Sequence, residues 1–145
     1  MQARLTKELQ YELTGGPYAV TAARLALSEL DELVDEALAF DVRLLVSELV
    51  TNSVRHAQIG PEGSIVLKVA LASDSVRVEV IDGGPGFEAP AEEPSTESAR
   101  ESGSGWGLFF VDQLADRWAT DPSTGLVWFE IMRDRDEADR GQTAA

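Results

Sequence analysis

Apolar and polar side chains alternate along residues 5–13, which is the pattern of a strand with one buried face. The apolar positions of one parity are Leu5, Leu9, Tyr11 and Leu13. The turn residues at 14–17, two of which are glycines, end this strand. From Tyr18 to Leu38 the apolar residues recur at steps of three and four instead, so this stretch predicts helix, with a break near residues 31–35.

The rest of the chain shows two further helical patterns and three further strand patterns. The helices are predicted at residues 41–57 and 106–118, and the strands at 65–71, 75–81 and 126–132. Asp41 is expected to cap the first of these helices, and the Gly-Pro-Glu-Gly turn at 60–63 to end it. The short link at residues 72–74 predicts a hairpin between the first two strands.

Between the third strand and the last helix lies a long stretch with little to bury. Residues 83–105 are rich in glycine, proline, serine and glutamate, and Phe87 is their one large apolar side chain. This composition predicts a mobile loop, and long loops in compact domains are usually functional. With 145 residues, 43% of them hydrophobic, the chain predicts one domain, with a core at about 5–132 and a flexible tail at 133–145.

Composition and charge exclude several classes of partner and site. A formal net charge of −14, from 26 acidic and 12 basic residues, opposes binding to nucleic acid or to an anionic membrane. The acidity is equally compatible with a basic protein partner and with solubility alone. The absence of cysteine excludes disulfides and thiolate metal sites and favours the cytoplasm. No apolar run approaches the roughly 20 residues that span a bilayer, and the N-terminus does not resemble a signal peptide.

The most informative stretch is the Asp-Gly-Gly-Pro-Gly sequence that begins at Asp82, directly after the strand pattern at 75–81. The alternation places Asp82 on the same side as the three valines of that strand. A carboxylate buried without partners is costly, so a ligand with N–H donors would explain its position. Gly84 and Gly86 would let the backbone turn sharply beside a bulky ligand. An ordinary turn is the alternative interpretation.

A polar stripe on the helix at 41–57 is a second candidate. Glu48, Asn52 and His56 are spaced four apart, so they share one face of the helix, which either faces water or lines a pocket. In a pocket, Glu48 would accept a proton, and the amide oxygen of Asn52 would suit Mg²⁺. Arg55 would meet a phosphate there. A solvated Arg55 and a locally hydrogen-bonded His56 are the simpler interpretations.

A second glycine cluster lies where the helix predicted at 106–118 begins. It consists of Gly103, Gly105 and Gly107, interleaved with Ser104 and Trp106 and followed by Leu108. Glycines at a helix N-terminus expose N–H donors to an anion, and the helix dipole adds to the attraction. A flexible hinge is the alternative. The cluster fits neither the dinucleotide-binding fingerprint nor the P-loop, since no parallel strand leads into it and no Gly-Lys-Ser/Thr is present.

In this order, the three motifs resemble the GHKL superfamily of ATP-binding domains, and within it the anti-sigma-factor serine/threonine kinases. Residues 47–57 look like the N-box of that branch, and residues 105–108 and 111–118 look like its C-terminal signature. The resemblance covers roughly residues 5–132. It implies an α/β (α+β) two-layer sandwich of the Bergerat type, with a mixed, mostly antiparallel sheet, helices on one face, and ATP between helices and lid.

The resemblance also implies roles for the motif residues, with ATP and Mg²⁺ as ligands. Glu48 is expected to be the general base for the attacking hydroxyl, Asn52 to hold Mg²⁺, and Asp82 to bind the adenine amino group. The other nucleotide-binding residues would be Arg55, His56, Gly84, Gly86, Gly103, Gly105, Trp106, Gly107 and Leu108, with residues 88–102 as the lid.

Two positions depart from the pattern of the relatives. Leu126 stands where many of them have a threonine that helps the aspartate hold adenine, and the lid carries five glutamates. The leading hypothesis is an ATP-dependent serine/threonine kinase of the anti-sigma type, which sequesters a sigma factor, phosphorylates an anti-sigma-factor antagonist, or does both; a homodimer is compatible with it. Intact Glu48 favours this kinase. Leu126 and the acidic lid favour a nucleotide-dependent binding module without kinase activity, and a stand-alone ATPase is the third hypothesis.

Overall fold

The computed structural model describes residues 5–56, 63–82, 106–121 and 123–133. In chain order the elements are β1 (Leu5–Thr14), α1 (Ala19–Ala26), a 3₁₀ helix (Leu27–Glu32), α2 (Glu36–His56), β2 (Ser64–Ala72), β3 (Ser75–Ile81), α3 (Trp106–Leu114), β4 (Arg117–Asp121) and β5 (Leu126–Met132). The loop predicted at 83–105, the lid within it, and residues 134–145 of the predicted tail lie outside the described residues.

The five strands form one sheet in the order β1-β2-β3-β5-β4, and every neighbouring pair is antiparallel. β5 therefore lies between β3 and β4, although it comes last in the chain. Val78 of β3 and Trp118 of β4 both face Phe129 of β5 in the ladder. The strands predicted at 65–71, 75–81 and 126–132 are confirmed to within one residue at each end.

One face of the sheet and the apolar faces of the helices form the core. Val76, Val78 and Val80 of β3 are at most 1% exposed, and Phe129 is the largest fully buried side chain among the described residues. Burying each such side chain contributes about 1.5–3 kcal/mol. All three helices contribute residues to this core, so the expected two-layer arrangement of helices on one face of a sheet is confirmed.

The helical region between β1 and β2 differs from the prediction in where its helices begin and end. α1 continues into the 3₁₀ helix, and α2 begins at Glu36 rather than at residue 41. Asp35 caps α2, because its Oδ1 accepts a hydrogen bond of 2.8 Å from the backbone N–H of Leu38. The prediction that Asp41 is the cap is wrong: Asp41 lies inside the helix, where burial and the charge of Asp35 raise its pKa. Among the described residues, no helix is long and apolar enough to cross a membrane.

β4 was missed by the sequence patterns, which predicted a helix over residues 106–118. α3 ends at Leu114, and β4 begins at Arg117. The turn is held by the backbone N–H of Asp116, which donates to the carbonyl of Glu130 at 2.8 Å. The helical spacing of apolar residues predicted helix as far as residue 118. Pairing with β5, whose residues are distant in the sequence, makes residues 117–121 a strand instead.

The outer face of the sheet carries a charged cluster centred on Glu130. This carboxylate accepts hydrogen bonds from Arg77 at 3.0 Å and from Arg117 at 2.7 Å, although the residue is only 9% exposed. The guanidinium of Arg77 also lies 4.1 Å from the centre of the Trp128 ring. Burial raises the pKa of Glu130, but the hydrogen bonds and charges of the two arginines outweigh it and hold the pKa below its ordinary value.

We expect Glu130→Gln to lower the free energy of unfolding at pH 7 by about 1.5–3 kcal/mol, the usual contribution of hydrogen bonds to a charged group. Because the folded-state pKa of Glu130 is depressed, this contribution is present above its ordinary value of 4.5 and is lost as pH falls through the folded-state pKa. Urea unfolding of both proteins at pH 7 and at about pH 3 measures the difference.

Glu79→Gln is the matched control, because Glu79 lies 3.7 Å from Arg77 and its side chain is 27% exposed, against 11% for Glu130. This substitution should change stability by less than about 1 kcal/mol. An equal loss in the two variants, or a Glu130→Gln effect that does not shrink in acid, would contradict the role assigned to the cluster.

Candidate functional site

The end of β3 places a carboxylate at the edge of the core. Asp82 continues the inward parity of Val78 and Val80, and it is only 8% exposed. Its backbone N–H donates to the carbonyl of Gly125 at 3.1 Å, which fixes it beside the start of β5. Gly125 has φ 69°, a left-handed conformation in which glycine is strongly favoured. The strand parity inferred for Asp82 is therefore confirmed.

α2 carries the second group of candidates. Glu48 and Asn52 lie one turn apart on the same face, between buried residues on the neighbouring faces. Asn52 is 7% exposed and Glu48 is half-buried. Within the described parts of the chain, neither side chain forms a hydrogen bond. A nearly buried amide and a half-buried carboxylate, neither with a hydrogen-bond partner there, are available to a ligand.

The electrostatics of Glu48 suit a proton acceptor. Burial raises the pKa of its carboxyl, and the positive charges of Arg55 and Arg24 offset only part of the increase, so that the pKa stays above its ordinary value. A carboxylate whose pKa is raised toward neutrality is a better general base at physiological pH than a fully solvated one. Arg55 itself is exposed, at the last turn of α2.

The remaining candidates are described in part or not at all. Gly107 lies in the first turn of α3, together with the backbone of Trp106 and Leu108. His56 is the last residue of α2. The side chains of His56, Trp106 and Leu108, and the whole of Gly84, Gly86, Gly103 and Gly105, lie outside the described parts of the structure.

Two polar residues of this region were not among the sequence candidates. Ser53, next to Asn52, is 1% exposed, and its hydroxyl has no hydrogen-bond partner among the described residues. Arg24 of α1 donates from Nε to the hydroxyl of Ser47 at 3.0 Å, one residue before Glu48. Helical spacing alone does not identify either residue, because burial and contact between helices are properties of the folded chain.

A cavity of about 390 Å³ lies elsewhere, on the outer face of the sheet. Its walls include Glu8, Lys68, Arg77 and Glu79. None of the candidate residues lines it, and its charged walls belong to the solvated face opposite the helices. We therefore place the candidate site on the helical side of the sheet, around α2 and the end of β3.

Comparison with known proteins gives a family match and several relatives. Residues 13–131 match the histidine kinase-like ATPase domain. The chain is 31% identical, over 125 residues, to the serine-protein kinase RsbW of Listeria monocytogenes, and the match covers 79% of each protein. It is 28% identical, over 111 residues, to the anti-sigma F factor of a Thermoanaerobacter species, covering 74% of this chain and 76% of that protein.

A solved structure supports the fold independently. The crystal structure of the RsbU and RsbW domains of a Mycobacterium tuberculosis protein superimposes with a TM-score of 0.61 at 26% identity. The match covers 88% of this chain but only 32% of that longer one. The chain belongs to the histidine kinase-like ATPase family, as the resemblance of its motifs to the GHKL superfamily predicted.

Proposed function

We propose that this histidine kinase-like ATPase domain binds Mg-ATP and transfers the γ-phosphoryl group to a serine or threonine of a protein substrate. The observation that carries the proposal is the state of Glu48: half-buried, without a hydrogen bond among the described residues, its pKa raised, and one turn from Asn52. A site that only held nucleotide would not need a proton acceptor tuned in this way.

Adenine recognition would depend on Asp82. Its carboxylate is nearly buried and can accept hydrogen bonds, and the exocyclic amine of adenine offers N–H groups that donate them. The adjoining glycines, Gly84 and Gly86, would allow the base to lie close to the backbone. Leu126, which replaces the threonine of many relatives, pairs with Ile81 and shares the outward parity of Trp128, so its side chain lies on the face of the sheet opposite Asp82.

Magnesium would be held largely by the nucleotide. Among the described residues, no group of three or more histidines or acids is arranged to bind a metal. The amide oxygen of Asn52, nearly buried and without a partner there, fits a cation that keeps several waters and uses substrate phosphates as ligands. The donor set therefore fits Mg²⁺ bound together with ATP rather than a resident metal.

In the transfer step, the acceptor hydroxyl oxygen forms a bond to the γ-phosphorus while the bond to the β,γ-bridging oxygen breaks, and ADP is the leaving group. Bound ATP would supply the phosphoryl group, and the Mg²⁺ bound with it would offset negative charge on the phosphates. Glu48 takes the proton of the hydroxyl. The backbone N–H groups at the start of α3, near Gly107, and the charge of Arg55 would stabilise the phosphates.

The protein partners are proposed from the relatives. One is named a serine-protein kinase and another an anti-sigma factor, so we propose that this chain sequesters a sigma factor, phosphorylates an antagonist of such a complex, or does both, in the cytoplasm. The net charge of −14 suits a partner with a basic surface. A homodimer is compatible with this role.

The experiment that tests the kinase function is incubation of the chain with γ-labelled ATP, Mg²⁺ and the proteins that it retains from its own cytoplasm. Transfer of label to serine or threonine of a retained protein is the expected result. Label that appears only as free phosphate would support a stand-alone ATPase instead. Retention of partners that depends on nucleotide but gives no transfer would support a binding module, which the acidic lid favours.

Asp82→Asn should weaken Mg-ATP binding about tenfold to a hundredfold, since a charge-assisted hydrogen bond to a buried carboxylate contributes on the order of 1.5–3 kcal/mol. Titration calorimetry measures the dissociation constant of each protein. Asp31→Asn is the control, because Asp31 is exposed and pairs with Arg43 away from the site. Equal affinities of Asp82→Asn and the wild type would exclude the adenine assignment.

Glu48→Gln and Asn52→Ala should affect different steps, phosphoryl transfer in the first variant and Mg-ATP binding in the second. Loss of the Asn52 amide removes a metal ligand, so we expect weaker Mg-ATP binding. Loss of the Glu48 carboxylate should leave binding intact and slow phosphoryl transfer by roughly 10²–10⁴-fold. Calorimetry and single-turnover transfer separate the two effects. The opposite pattern, with binding lost in Glu48→Gln and kept in Asn52→Ala, would exchange the two roles.

A further inference from the structure

Arg24 connects the first helix to the turn of α2 that carries Glu48. It lies in the last turn of α1, where a cation is also favoured by the helix dipole. Its Nε donates to the hydroxyl of Ser47 at 3.0 Å, and Ser47 is only 6% exposed. The bond is thus partly shielded from water, which makes it stronger than a fully exposed one.

Among the described residues, the hydroxyl of Ser47 forms a hydrogen bond only with Arg24, so this contact joins α1 to α2. The backbone carbonyl of Ser47 accepts from the hydroxyl of Thr51 at 2.7 Å, a contact within α2, whereas the side chain of Ser47 is used only for Arg24 among the described residues. Because Ser47 directly precedes Glu48, the hydrogen bond between Arg24 and Ser47 (the Arg24–Ser47 tie) restrains the rotation of this turn about the helix axis.

We propose that Arg24 is a positioning residue for Glu48: through Ser47 it holds the orientation of the α2 turn, so that the carboxylate meets the acceptor hydroxyl. The inference rests on the proposed function, in which Glu48 is the general base. Arg24 itself touches neither nucleotide nor acceptor in this role. Its positive charge, with that of Arg55, also keeps Glu48 more readily ionised despite burial.

A small rotation of α2 about its axis would displace the carboxylate of Glu48 enough to affect the reaction. An atom at the rim of an α-helix lies about 5–6 Å from the axis, so a rotation of about 10° moves it by roughly 1 Å. A misplacement of about 1 Å at a reacting group can slow a reaction about 10²-fold. A single side-chain hydrogen bond between α1 and α2 is therefore sufficient to affect the rate without affecting the fold.

The chain contains a matched control for this tie. Arg43 of α2 pairs with Asp31 of the 3₁₀ helix, so it also joins α2 to the preceding helical segment. It lies one turn before Ser47 and does not appear among the charges that shift the pKa of Glu48. A purely structural role for Arg24 predicts equal effects of Arg24→Gln and Arg43→Gln.

The first experiment compares the steady-state kinetics of phosphoryl transfer to the acceptor protein identified with labelled ATP. Arg24→Gln should lower kcat about 10- to 100-fold, with the KM for ATP changed less than about twofold. Arg24→Lys should recover part of the rate, since it keeps a cation and a donor, and Arg43→Gln should match the wild type. Ser47→Ala should lower kcat and add little to Arg24→Gln, because both remove the same bond.

The inference is overturned if Arg24→Gln keeps the wild-type kcat, if it raises the KM with kcat unchanged, or if Arg43→Gln loses as much rate. It is also overturned if the effects of Arg24→Gln and Ser47→Ala multiply independently. A wild-type protein that transfers no phosphate would overturn the proposed kinase function, and this is seen before any variant is compared.

A second experiment tests the tie itself without activity. Amide hydrogen exchange of the nucleotide-free protein, followed residue by residue, should be about threefold or more faster at residues 47–52 in Arg24→Gln than in the wild type. Arg43→Gln should leave exchange at these residues unchanged. Unchanged exchange in Arg24→Gln would overturn the inference, whether or not the wild type transfers phosphate.

Discussion

The packing of α2 against the sheet is the constraint on which the candidate site depends. Leu45, Val46, Leu49 and Val50 are all completely buried, so the helix cannot rotate far without exposing several apolar side chains at about 1.5–3 kcal/mol each. This buried face therefore fixes the direction of the neighbouring stripe that carries Glu48 and Asn52. Glu48 is half-buried and Asn52 nearly buried because they adjoin this apolar face. The tie between Arg24 and Ser47 adds directional control of a kind that apolar packing does not supply.

The same core positions Asp82 from the other layer. The valines of β3 pack in the core beneath the helices. Because side chains alternate along a strand, Asp82 lies on the same, helical side where the strand ends. Because β5 inserts between β3 and β4, Gly125 can accept the backbone N–H of Asp82. The candidate residues thus lie on a strand and a helix that share one core.

The parts of this arrangement that depend on local periodicity could be predicted from the sequence, and the parts that depend on contacts distant along the chain could not. The period of two along β3 predicted the burial of Asp82, and the spacing of four predicted the shared face of Glu48 and Asn52. The start of α2 was misplaced because Asp35 and Asp41 are equally good caps by residue type, and only the folded chain shows which one bonds an N–H group. β4 was missed because its strand character comes from pairing with β5.

Burial of the candidate base has a thermodynamic consequence. The folded-state pKa of Glu48 is raised, so its contribution to stability is greatest below the ordinary value of 4.5 and declines as pH rises through the folded-state pKa. Ionisation of this carboxylate therefore opposes folding, and the buried hydroxyl of Ser53, without a hydrogen-bond partner among the described residues, adds to that cost. Polar groups that oppose folding are characteristic of functional sites, whose residues are retained for chemistry rather than stability. The positive charges of Arg55 and Arg24 reduce this cost for Glu48, because each favours the ionised form of its carboxyl group.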